Sequence, residues 1–197
     1  MKMILPLLAC CVFFVCCNNH KEKTSEKTPA ADTTSKEEKP SFFPVTSYIL
    51  GQMTEINEKS INPIQYTTIK NHTDSVFLKV EDLPKAFSEF LHPEIDSTNL
   101  VSLFMEKRFM DQSIDAFTFT YDPIATLPDS MNLQHWDVYI DPKSSKVKRI
   151  YMLKNFGETK TMQLTWQGDK WCKIVQISNK PDGSSTVDKE VKITWDY

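Results

Sequence analysis

The sequence predicts an α+β domain. A curled antiparallel β-sheet, a meander in its C-terminal half, is covered by one longer N-terminal helix and one short helix. Three observations carry this. From Ala116 onward, apolar and polar residues alternate in run after run, as in Phe117-Thr118-Phe119-Thr120-Tyr121, which is the period of a half-buried strand. Short, turn-rich segments separate these runs, so successive strands are antiparallel neighbours. Two stretches ahead of them repeat at helical spacing instead.

Taken in chain order, the first element is not part of the fold. Lys2 precedes an uncharged run, Met3 to Cys17, which stops abruptly at Asn18-Asn19-His20-Lys21. The run is shorter than the ~20 apolar residues of a membrane span and suits the apolar core of an export signal. Cys10, Cys11, Cys16 and Cys17 all lie in it. Residues 18–40 are lysines, acids, threonines, serines and alanines with two prolines after Asn18-Asn19-His20, and hold no large apolar side chain. Such a stretch cannot bury enough surface to offset the entropy of ordering it, so it reads as a disordered tether. Residues 41–197 then form a single domain, long enough to bury one core without staples.

Within that domain Val45, Ile49, Met53 and Ile56 recur at spacings of four, four and three, one face of a helix. Pro44 suits its first turn, Ser41 is available as a cap, and Asn62-Pro63 lies beyond its end. Residues 64–70 and 75–80 read as a hairpin with its turn at Asn71-His72-Thr73-Asp74. Asp82 is placed to cap a short helix with Pro84 in its first turn and Leu83, Phe87, Phe90 and Leu91 on one face. His92-Pro93 stops it. Residues 100–110 fit helix or strand, with strand favoured. Strands then follow around 117–121, 136–140, 147–153, 161–166, 171–177 and 187–195. Their connections include Asp141-Pro142-Lys143-Ser144-Ser145, Asn155-Phe156-Gly157, Gly168-Asp169 and Pro181-Asp182-Gly183-Ser184.

Composition excludes several function classes. The four glycines are scattered, whereas a phosphate-cradling loop or a nucleophile elbow needs them close together. The formal charge is −3, so there is no basic footprint for nucleic acid. Cys172 is the one cysteine in the domain, so no disulfide framework is expected, and its place on a strand reads as a small buried side chain. His72, His92 and His135 form no metal-binding spacing, and no cofactor or metal is called for. The tightest carboxylate sets are Glu94 with Asp96, Asp111 with Asp115, and Asp137 with Asp141. Most acids beside Pro, Ser or Gly read as turn residues, as do Asp122-Pro123 and Pro128-Asp129. Lys146-Val147-Lys148-Arg149 reads as an exposed sheet edge or rim.

The charge-free run ending in cysteine, followed at once by a polar tail, resembles a bacterial lipoprotein signal. The Lys/Glu/Thr spacer, Phe42-Phe43-Pro44-Val45 and Trp136-Asp137-Val138-Tyr139-Ile140-Asp141 are similar to small uncharacterised lipoproteins of Bacteroidetes-type bacteria. The resemblance implies a signal peptide over residues 1–17, lipid on a cysteine and localisation in the cell envelope, at the outer membrane. Cys17 gives a signal of ordinary length and is the favoured lipidation site; Cys10, preceded by small Ala9, and Cys16 are the alternatives. Asp32-Thr33-Thr34 also resembles the O-glycosylation acceptors of such exported proteins, which makes Thr33 a candidate for modification.

The expected function is a non-enzymatic binding or assembly module held to the membrane by its lipid, with another envelope protein as partner. The alternatives are a carrier of an apolar, lipid-like ligand in a cavity lined by Trp136, Trp166, Trp171 or Trp195, and a carboxylate-dependent hydrolase.

Overall fold

The computed structural model describes residues 41–196. The signal, the tether, Cys10, Cys16, Cys17 and Thr33 lie outside the described residues. The first helix, α1 (Val45–Glu58), buries Val45, Ile49 and Ile56, with Met53 half-buried beside them. Its first turn is fastened to the 92–97 segment: the Thr46 backbone N–H donates to Ile95 O at 3.1 Å, and Thr46 Oγ1 accepts from the Ile95 N–H at 2.8 Å.

A hairpin of β1 (Ile64–Ile69) and β2 (His72–Phe77) follows. Its turn is Lys70-Asn71, with Lys70 at φ 55°, and Ile69 pairs with His72. The sequence reading places this turn later, at residues 71–74. Every side chain of β2 is exposed, so its polar residues carry no burial signal and read as turn. The short helix is broken. A 3-10 turn (Val80–Asp82) leads into α2 (Leu83–Ala86) and α3 (Ser88–Leu91), with Phe87 at φ −99°, ψ 5° between them. Leu83, Phe87 and Phe90 are nevertheless buried, as the periodicity requires.

Seven strands complete the sheet: β3 (Phe104–Asp111), β4 (Ala116–Pro123), β5 (Leu133–Ile140), β6 (Val147–Asn155), β7 (Lys160–Gln167), β8 (Trp171–Asn179) and β9 (Ser185–Thr194). They form a meander. The β1–β2 hairpin joins beside β9, giving the order β2-β1-β9-β8-β7-β6-β5-β4-β3 with every pair antiparallel. The sheet stays open, with β2 and β3 at its edges. Lys146–Arg149 lies at the rim of the sheet and not along an edge strand: Val147 and Arg149 pair with β5, and pairing with β7 begins only at Ile150.

Register sorts the side chains into two faces, since directly paired residues point the same way. Tyr121, Trp136, Met152, Leu164 and Ile174 form one continuous row, and Val138, Ile150, Trp166, Cys172 and Ile193 the next. These rows are buried and share one core with Val45 and Ile49 of α1 and with Phe87 and Phe90. Two aromatic groups fill the space. Trp136 stacks on Tyr121 with ring centroids 4.4 Å apart and meets Phe104 edge-on at 4.7 Å. Trp166 meets Phe87 at 5.0 Å, Phe90 at 5.3 Å and Trp195 at 5.0 Å. One ammonium group shares this face. The Lys154 side chain, 3% exposed, donates to the Glu89 carbonyl oxygen and to Glu89 Oε2.

Candidate functional site

On the opposite face of the sheet the alternation of β5 brings His135, Asp137 and Tyr139 to one side. Pairing of Thr120 with Asp137 places Thr120 and Asp122 of β4 on that side too. Lys107 of β3 is opposite Thr120. The result is a ladder of charged and hydroxyl groups across three strands. His135 Nδ1 is 2.9 Å from Asp122 Oδ1, and Nε2 is 3.1 Å from Asp137 Oδ2. Lys107 Nζ donates to Asp122 Oδ2 at 2.9 Å. Thr120 Oγ1 donates to Asp137 Oδ1 at 2.7 Å, and the Tyr139 hydroxyl to Asp137 Oδ2 at 3.1 Å. The Arg149 guanidinium lies 4.2 Å above the Tyr139 ring.

Both imidazole nitrogens face carboxylates. Only the imidazolium can donate from both. The Asp137 hydrogen bond accordingly raises the His135 pKa, against the opposing effect of burial, and the Asp137 and Asp122 charges add to it. Asp122 is lowered chiefly by Lys107 and then by His135. Burial pushes Asp137 upward, but His135, Thr120 and Tyr139 together hold it below the usual carboxylate range. A general base needs a free lone pair within reach of a substrate proton. In this ladder both imidazole nitrogens are engaged by Asp122 and Asp137, and those carboxylates also accept from Lys107, Thr120 and Tyr139.

Four other acids, Asp96, Asp111, Asp141 and Asp182, behave as turn residues. Asp141 Oδ1 accepts from the Lys143 and Ser144 N–H groups, and Asp96 Oδ1 from those of Thr98 and Asn99. Asp111 and Asp182 accept likewise from Ser113 and Ser184. Asp137 is thus separated in role from Asp141, with which the sequence grouped it. Cys172 is fully buried, and burial raises its thiol well above its ordinary value, the state of an inert side chain. Among the described residues no group of three or more His, Cys, Asp or Glu side chains is arranged to hold a metal.

The four tryptophans divide between the faces. Trp136, Trp166 and Trp195 are buried in the aromatic core, whereas Trp171 lies opposite Gln167 on the other face, beneath the Lys192 ammonium at 5.3 Å.

Sequence reasoning did not find Asp122, because Asp-Pro reads as a turn. The available signal was His135-x-Asp137-x-Tyr139, a polar face on a strand. Recognising its partner requires the β4–β5 register. No family model, no curated protein and no solved structure matches the chain.

Proposed function

We propose that the chain is a lipid-anchored lipoprotein of the cell envelope whose domain is a non-enzymatic binding or assembly module. The observation that carries the second half is the closure of the Asp122–His135–Asp137 ladder. Its imidazole is committed at both nitrogens, which favours a rigid recognition surface over a proton-transfer site. The carboxylate-hydrolase alternative needs two carboxyls facing a cleft, and these two instead share one imidazole ring. The charge-free run ending at Cys17 and the polar residues after it support the anchor. Attached acyl chains would hold the module at the membrane by about 0.8 kcal/mol per buried CH₂, with another envelope protein as the partner.

Growth with labelled palmitate tests the anchor. The native chain is expected to incorporate label and to sediment with outer membranes, and Cys17→Ser to lose both. Full labelling of Cys17→Ser moves the site to Cys10 or Cys16; an unlabelled native chain overturns the anchor.

A further inference from the structure

The hairpin that joins β3 to β4 carries exposed apolar side chains on both faces of the sheet, flanking a turn that also holds Asp111, Gln112, Ser113 and Asp115. Phe109 points to one face of the sheet, and Met110 and Phe117, which are paired, point to the other. Ile114 stands in the turn between them. Phe109 is 50% exposed, Phe117 48%, Met110 40% and Ile114 39%. A protein docking on a sheet covers one of its faces. A medium that removes water from a hairpin tip in all directions at once is the interior of a lipid layer.

Charge around the tip fits the same occupant. The β5–β6 connection and the start of β6 lie beside it, because Phe117 pairs with Ile140. The Lys148 ammonium donates to the Ile114 and Asp115 carbonyl oxygens at 2.9 and 3.1 Å. Lys148 and Arg149 line a small pocket with Ile114, and Lys143 lies 4.0 Å from Asp115. The acids of the turn are engaged locally: Asp111 accepts from Ser113 and Asp115 faces Lys143. Basic side chains behind an apolar tip are placed to meet anionic headgroups.

We propose that the β3–β4 hairpin tip inserts into the surface of the anionic bilayer to which the protein is anchored, holding the domain edge-down. This deepens the lipoprotein reading and rests on it. The test uses the lipidated full chain reconstituted into phosphatidylethanolamine–phosphatidylglycerol vesicles carrying brominated acyl chains. Single tryptophans are added at the tip, Phe117→Trp and separately Phe109→Trp, and at the far edge, Phe77→Trp, where the native ring is 67% exposed. Bromine quenches only probes that reach the acyl region. The tip probes are expected to be quenched about twofold more than the native chain or Phe77→Trp, as a shallow insertion requires. Co-flotation with the vesicles without extra quenching at either tip probe would overturn the insertion while leaving the anchor intact. Failure to co-float would remove the anchor, and the insertion with it. Unquenched tip probes with a doubled mass that Phe117→Ser halves would assign the tip to a second copy of this chain, and would likewise overturn the proposal.

Discussion

His135 is the residue through which the polar face reports its charge. Its pKa is raised by Asp137 and Asp122, so its stabilising contribution is complete below the unfolded value of ~6.5 and is lost as pH rises through the folded value. Asp122 and Asp137 are lowered. Their contribution is complete above the unfolded value of ~4 and is lost as pH falls through the folded values. The ladder therefore stabilises most between these limits. His135→Gln is expected to lower the melting temperature most near pH 5–6, a window set by those unfolded values, with the gap from the native chain narrowing toward pH 9. A gap that does not vary with pH would show that the native ring is not charged. None of this was readable from composition. His135 and Asp137 stand two apart in a visible alternation, but Asp122 carries a following proline and the text of a turn. Only strand pairing brings it to the ring.

At the scale of elements, the interior ammonium of Lys154 is the test of how α3 is held. Burial lowers its pKa, while the nearby Glu89 opposes the shift. The pair costs desolvation on the lysine side, whereas Glu89 remains 40% exposed. Removing one partner of an ion pair is costly where it leaves the other charge buried, but Glu89 is exposed enough to be hydrated by water. Lys154→Met is expected to change the unfolding free energy by less than about 1.5 kcal/mol. Lys154→Ala, which empties the space beside Met162, is expected to cost about 2–4 kcal/mol. Urea titration separates the two, and equal losses would mean that the ion pair, rather than packing, fixes α3.

The elements also show where sequence pattern suffices. In β6 to β8 alternating burial writes the strand directly, as in the buried Leu164 and Trp166 of β7. Over residues 80–91 the apolar positions were correct, but helix continuity was not, because Phe87 leaves helical geometry while keeping its ring in the core. In β2 the exposed residues His72, Thr73 and Asp74 read as turn, and only the later part of the strand was legible.

For the whole molecule, stability should follow distance from the sheet edges. Strands β5 to β8 are paired on both sides and carry the two buried rows, whereas β2 is paired on one side and exposed throughout. Native-state hydrogen exchange is expected to show the slowest amides in β6 and β7 and a decline toward β2. Uniform protection across the sheet would contradict that gradient. The meander itself was legible because short turns force neighbours to pair in order. The attachment of β1 to β9 was not, since nothing local in either strand names a partner so distant in the chain.

That attachment has a consequence in time. Ile64 finds its partner only at Thr194, and Ile69 only at Lys189. A chain that emerges N-terminus first, whether from a ribosome or through a membrane pore, presents the first hairpin long before the strand that receives it exists. A two-stranded hairpin alone is marginal in water. The sheet can therefore be completed only after its last strand has emerged, although the β3–β8 meander needs no strand beyond its own.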